Sequence, residues 1–299
     1  MLLASAVKSG KLVSEQQWQR HIALLRKAAR RAGTYSTKSA ARRDIYSGLV
    51  AAVKKRAPGR GKFGVLLSGG VDSSFIAFML KKLGHKFTCF SVGIAGSRDL
   101  AAARLAARAL GLRLISKEYD MASAGKVIRE AVKLLRSADP VTIGIAATEI
   151  AALSLASANK VSVVFTGLGS EEIFAGYQRH VTAKDINREC WLGLNGMWKR
   201  DFLRDSAVAA RFRAVALAPF LDEHVIVAAM RAKPEWKIHH GEKKLILREI
   251  AAAAGLPTSI AFRPKMAAQY GSGFDKALEK LARKAGFRNK RDYLASLLA

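Results

Sequence analysis

Between residues 60 and 166 the hydrophobic spacing changes period several times, and each change marks an element. Residues 63–67 (Phe63, Gly64, Val65, Leu66, Leu67) form an apolar run of buried type that predicts a strand, and an amphipathic stretch over 75–83 follows a short Gly/Ser loop. A second strand is expected over 87–93, closing on Gly93, then an Ala/Leu/Arg-rich helix over 99–110, a third strand over 112–119 and a helix over 124–135. A long Ala-rich helix from about 145 to 158 leads into 161–165, whose β-branched residues mark another buried strand. The order βαβα predicts an α/β fold with a parallel sheet and helices on both faces. Residues before 60 read as Arg/Lys-studded helix with a turn near Ala32, Gly33 and Thr34. Ala57-Pro58-Gly59-Arg60 reads as a connector, and from Ile186 onward the pattern is helical, interrupted by Pro219, Pro234, Pro257 and Pro264. No internal repeat or low-complexity tract is visible.

The loop between the first strand and its helix carries the most chemistry: Ser68-Gly69-Gly70-Val71-Asp72-Ser73-Ser74. Glycines let backbone amides approach an anion without a Cβ in the way, and a helix start favours negative charge, so a strand, Gly/Ser loop and helix in this order form a phosphate cradle. Asp72 would repel phosphate unless a cation lay between them, which predicts Mg²⁺. The plainer alternative is a turn in which Asp72 or Ser73 merely caps the helix. No GK[ST] follows, so the loop is not a Walker A loop. A second loop, Thr166-Gly167-Leu168-Gly169-Ser170-Glu171-Glu172, follows the strand at 161–165. Ligands of open parallel sheets bind outside the carboxyl ends of the strands, so both loops are expected to face one crevice.

Composition narrows the class. With 299 residues, half of them apolar, the chain can bury a large core, which excludes a disordered or fibrous protein. Apolar stretches are broken by charges every few residues and the opening segment Met1 to Val7 is too short for a signal or spanning helix, so a soluble, cytoplasmic protein is expected. Two cysteines, Cys89 and Cys190, fit neither a disulfide framework nor a zinc motif. The formal charge of +28 is spread widely, with fourteen Lys/Arg against Glu15 and Asp44 in residues 1–60 and another basic run over 276–291. Such a field suits RNA or an acidic partner, although a uniformly basic composition accounts for it equally, and no RNA-binding motif accompanies it.

The string SGGxDSS resembles the pyrophosphate-binding loop of the ATP pyrophosphatases. With the later motifs, the chain resembles the synthetase domain of glutamine-hydrolysing asparagine synthetases, most closely their divergent asparagine synthetase domain-containing relatives. The landmarks are residues 64–74, Ser91-Val92-Gly93 with Gly96-Ser97-Arg98-Asp99-Leu100, residues 166–177, Pro219-Phe220-Leu221-Asp222, residues 241–249, Arg263-Pro264-Lys265 and residues 269–273. The resemblance spans about 60–275 and implies an adenine nucleotide alpha hydrolase-like domain there. A basic helical region at 1–59 would precede it, and a basic helical tail at 276–299 would follow. It implies an AMP-forming amide ligase in which the β-carboxylate of aspartate attacks the α-phosphorus of ATP and ammonia displaces AMP from the aspartyl adenylate.

By the same resemblance, Asp72 and Glu171 bind metal, and Lys244 and Lys265 are catalytic cations with Glu171 beside them. Ser68, Gly69, Gly70, Ser73, Ser74 and Gly167 hold the phosphates, and the backbone at Leu67 and Val92 holds adenine. Gln269, Tyr270 and residues 142–144 line the acid-substrate side. Each charged residue keeps a bland alternative: Glu171 and Glu172 as first-turn acids, Lys243 and Lys244 as a solvated helix face.

The chain also departs from the family pattern. A Glu of the usual GEGSDE loop is Leu168 here and its first acid is Glu171, while Val215 and Leu217 replace a Glu and an Arg ahead of Pro219. An apolar side chain cannot orient an amine or accept its proton, so ATP binding is the firmer expectation and the acceptor acid the weaker one. Position 2 is Leu rather than the nucleophilic Cys of the glutaminase, and only 67 residues precede Ser68, so free ammonia or a separate ammonia-supplying subunit is expected. The alternatives are a tRNA-modifying ATP pyrophosphatase-loop enzyme and a non-catalytic descendant that binds nucleotide or RNA.

Overall fold

The computed structural model describes residues 7, 8, 11–264 and 266–298. At its centre lies a sheet of β1 (Gly64–Leu66), β2 (Thr88–Ile94), β3 (Leu114–Tyr119), β4 (Val163–Phe165) and β5 (Val215–Leu217), in the spatial order β3-β2-β1-β4-β5. All four pairings are parallel. The chain builds outward from β1 to β2 and β3, then returns to place β4 and β5 on the other side. The strand order therefore reverses between β1 and β4, and a crevice opens at their carboxyl ends.

Helices cover both faces, as the spacing predicts. Alternate strand residues feed two cores: Val65, Cys89 and Phe165 join one, and Phe90, Val92 and Val164 join the other. The first core also takes the buried faces of α1 (Glu15–Ala32), α2 (Lys38–Arg56), α3 (Val71–Lys82) and the inner side of α4 (Arg98–Ala109). The second takes α5 (Met121–Leu135), α6 (Pro140–Ala158) and, from the C-terminal region, Phe274, Ala277, Leu278 and Ala282. Cys89 is a core residue whose thiol burial pushes up to about 12, and Cys190 is buried as well, so neither is a ready nucleophile.

Two features differ from the sequence reading for physical reasons. Helix α6 begins at Pro140 rather than near 145, because Asp139 caps it by accepting from the Thr142 amide at 2.8 Å and proline is pre-set for the first helical position. Helix α6 is also long and apolar enough by composition to cross a membrane, but half of that window is buried inside the protein. The strand β5 lies within a stretch that reads as helical. It is only three residues long, and its pairing with β4 (Val163 to Val215, Phe165 to Leu217) defines it.

The basic N-terminal helices are amphipathic and share the core of the sheet. Ser14 and Gln17 form a capping box at the start of α1, which buries Trp18, Ile22, Leu25 and Ala29. Further ties fix the pair: Arg56 bonds Asp222 at 2.8 Å, and Asp44 accepts from Tyr35 and pairs with His224 at 2.8 Å.

Candidate active site

Strand β1 runs through the Ser68 loop into α3, and close packing dictates its glycines. Gly69 has φ 71°, and a Cβ there would sit 2.4 Å from the Ala102 carbonyl carbon of α4. No other residue fits without moving backbone. Gly70 caps α3 without a side chain, leaving the first helical turn facing the crevice. The Ser68 amide donates to the Ser73 hydroxyl at 3.1 Å, the two hydroxyls lie 3.2 Å apart, and the Gly70 amide donates to Ser68 Oγ at 3.4 Å. Ser74 is fully buried, and its hydroxyl has no hydrogen-bond partner among the described residues.

The second loop lies directly alongside. A Cβ on Gly167 would come within 2.8 Å of the Asp72 Cβ, so the loop after β4 closes on the first turn of α3 only because that residue is glycine. Residues from three distant parts of the chain then meet at one atom. Lys244 Nζ contacts Asp72 Oδ1 at 2.9 Å and Oδ2 at 2.8 Å, Glu171 Oε1 at 2.9 Å and Ser170 Oγ at 3.0 Å. Lys244 is 2% exposed, not a member of a solvated face, and its backbone adopts the left-handed region at φ 58° just ahead of the helix Leu245–Ala253. A strained backbone at a point of convergent charge is characteristic of functional sites. Gly176 makes room for this cluster, since a Cβ there would stand 1.6 Å from Glu171 Oε2 and 2.4 Å from Lys244 Cε.

Adjacent Glu172 plays a different part from Glu171. It is buried, accepts from Tyr177 Oη at 2.8 Å and from Arg200 at 2.6 Å, and thereby braces the loop from behind. Burial, with the charge of Asp201 next, pushes the Glu172 carboxyl up to about 7 despite the Arg200 partner. Two arginines that the sequence reading assigned no role complete the frame. Arg248 donates to the carbonyls of Lys243, Ala261 and Arg263 at 2.8, 2.8 and 3.0 Å, and desolvation lowers its guanidinium from the ordinary value. Arg263 reaches the Ser68 carbonyl at 3.4 Å and pairs with Asp99 at 2.9 Å. Its landmark segment was legible as a motif, but nothing local says that Arg263 ties α4 to the phosphate loop.

Leu67 and Val92 lie on neighbouring strand ends, and with Ser68 they wall a cavity of about 160 Å³. Gly144 and Gln269 of the expected acid-substrate side are also neighbours: a Cβ on Gly144 would meet the Gln269 Cβ at 3.0 Å. Leu168 is half-buried and packs on the first core, as does Leu217 of β5. Lys265 lies outside the described residues. A cavity of about 570 Å³, lined by Lys62, His85 and Arg113 among others, lies near the amino ends of the strands, away from both loops.

A model of the asparagine synthase family matches residues 44–184 and 180–295. The chain belongs to the asparagine synthase family. It is 30% identical over 277 residues to the putative asparagine synthetase [glutamine-hydrolyzing] 1 of Methanocaldococcus jannaschii, covering 80% of this chain and 51% of that protein. It is also 30% identical over 231 residues to asparagine synthetase B [glutamine-hydrolyzing] of Escherichia coli K12, covering 71% of this chain and 42% of that protein. The chain thus spans about half the length of the curated relatives it matches. Among solved structures, an NMN synthetase from Francisella tularensis superimposes with a TM-score of 0.42 at 11% identity, over 87% of this chain and 93% of that one.

Proposed function

We propose that this member of the asparagine synthase family is an ATP-dependent, AMP-forming ligase that activates the β-carboxylate of aspartate and transfers ammonia to it. The observation that carries the reading is the meeting of Asp72, Glu171 and Lys244 beside the Ser68 loop, at the point where the strand order reverses. In the first step a carboxylate oxygen attacks the α-phosphorus and the bond to pyrophosphate breaks. In the second, ammonia attacks the acyl carbon, AMP leaves and a proton is lost.

Charge builds on the phosphates as pyrophosphate departs, so fixed donors aimed there supply most of the acceleration. The Ser68 loop and the α3 N-terminus offer hydroxyls and amides for that purpose, and Lys244 offers a buried cation. Lys265, two residues beyond Arg263, is proposed as the second one. Asp72 and Glu171 fit a Mg²⁺ ion: their oxygens already converge on one cation, and magnesium typically takes one or two carboxylates plus substrate phosphates. Such an ion, when bound, neutralises phosphate charge. Leu67 and Val92 are proposed to hold the adenine through their backbone.

The nitrogen source is proposed to be free ammonia or ammonia delivered by a separate subunit. The test is an end-point assay with ATP, Mg²⁺, aspartate and ammonium, following AMP, pyrophosphate and asparagine by mass spectrometry with glutamine as a parallel nitrogen source. Equimolar AMP and asparagine from ammonium are expected. Measurable ATP binding without AMP formation would remove aspartate as the acceptor.

A further inference from the structure

Every strand of the sheet is entered through a short basic connection. Arg60 and Lys62 precede β1, Lys86 precedes β2, Arg113 precedes β3, Lys160 precedes β4 and Arg213 precedes β5. All six residues are exposed, and none forms an ion pair with a carboxylate among the described residues. The connections themselves, residues 57–63, 83–87, 110–113, 159–162 and 212–214, contain no Asp or Glu. Because all pairings are parallel, the five connections lie side by side along one edge, about 19 Å long at about 4.8 Å per strand. Helix dipoles do not account for the row. Lys81 and Lys82 in the last turn of α3, and Arg108 in that of α4, already answer the negative ends of those helices, and the six lie beyond the helix ends. The row is at the opposite end of the strands from the phosphate loop, so the ligase reaction gives it no role.

The cavity of about 570 Å³ opens on this same edge. Lys62, Lys86 and Arg113 line it, no carboxylate does, and its apolar wall includes Phe87, Leu112 and Ile115. Phe87 is half-buried and stacks on Phe63, with ring centroids 6.0 Å apart and 23° between the planes. Cations crowded without acids repel one another, and a bound polyanion relieves that repulsion. Charge alone suits any polyanion, but here it surrounds an aromatic wall. A cationic groove with an aromatic platform is the means by which proteins hold single strands, phosphates on the cations and bases on the rings. A duplex keeps its bases stacked inside and has none to offer the wall, and an acidic polypeptide engages the cations without the cavity.

We propose that the amino-terminal edge of the sheet binds single-stranded nucleic acid, with phosphates along the basic row and one base in the cavity against Phe87. The inference is independent of the ligase reading, since it uses the other end of the strands.

Fluorescence anisotropy with a fluorescein-labelled oligouridylate of about twelve nucleotides, titrated between about 50 and 200 mM salt, tests this. Each phosphate neutralised contributes about 0.7 to the slope of log affinity against log salt, so Lys86→Ala/Arg113→Ala should lower the slope by about 1.4. The charge-matched pair Lys276→Ala/Lys280→Ala is exposed at the other end of the strands, beside Ile94, and should leave the slope unchanged. Phe87→Leu removes the ring but keeps an apolar side chain, and should weaken binding by about fivefold or more at an unchanged slope, while Phe87→Tyr retains the wild-type affinity. Melting curves show that each variant is folded. No binding by the wild type at about 50 mM salt overturns the proposal. So does an equal fall in slope for the two charge pairs, which would mean a general basic coat. A folded Phe87→Leu that binds like wild type overturns it too, as does displacement of the probe by polyglutamate or a duplex as readily as by unlabelled oligouridylate.

Discussion

Replacing Lys244 by Met keeps most of the side-chain volume and removes the cation that Asp72 and Glu171 share. In the native protein the Lys244 and Asp72 side chains are 3% and 5% exposed, and Glu171 is 17% exposed, so water cannot take over the role of the ammonium. Breaking a buried ion pair by removing one partner costs about 3–5 kcal/mol, because a charge is left buried without compensation. Glu171 is the least buried of the three, which puts the expected loss near about 3 kcal/mol. At about 2 °C per kcal/mol for a chain of this size, the midpoint should fall by about 6 °C or slightly more. The deficit should shrink as pH falls from 8 toward 5, because protonating either acid removes the unpaired charge. Thermal melts of wild type and Lys244→Met across that range, with Asp72→Asn and the double variant to isolate the coupling, check the magnitude. Millimolar Mg²⁺ should raise the midpoint of Lys244→Met more than that of the wild type, since the acids are released for a metal. A Lys244→Met protein that melts within about 1 °C of wild type at pH 8 would refute the premise that the acids depend on this cation.

Glu172 sets a pH slope of its own. Its folded carboxyl is raised to about 7 from 4.5, so the folded state holds the extra proton between those values. Stability is fully present below about 4.5 and falls as pH rises through 7, by up to about 3 kcal/mol, and Glu172→Gln should flatten that slope in melts from pH 5 to 8. Gly176→Ala drives a methyl into the Glu171 carboxylate at 1.6 Å. Calorimetry should show Mg-ATP affinity reduced by about tenfold or more in a protein that still folds, because the atoms displaced are side-chain ends. Gly69→Ala meets backbone of α4 at 2.4 Å from a positive φ. It should lower the melting midpoint as well as abolish nucleotide binding, with a loss of about 2 kcal/mol or more.

The sequence by itself determined the parallel sheet, its helical cover and the position of the phosphate loop, because these rest on local signals: period-2 and period-3.6 hydrophobicity and a Gly pair after an apolar run. It also singled out Asp72, Glu171 and Lys244, through their motifs. Only the tertiary structure decided what these residues do to one another. Lys244 is 172 positions from Asp72, and no local spacing says that its ammonium is buried between two acids rather than solvated beside Lys243. The distinction between Glu171 and Glu172 has the same origin: adjacent, chemically identical side chains point to opposite sides of one short turn, one toward Lys244 and one toward Arg200. Strand β5 was illegible for a related reason, since three apolar residues become a strand only when β4 supplies the hydrogen-bonding edge. Pairings across long stretches of chain are set by packing of the whole fold, and sequence periodicity carries no record of them.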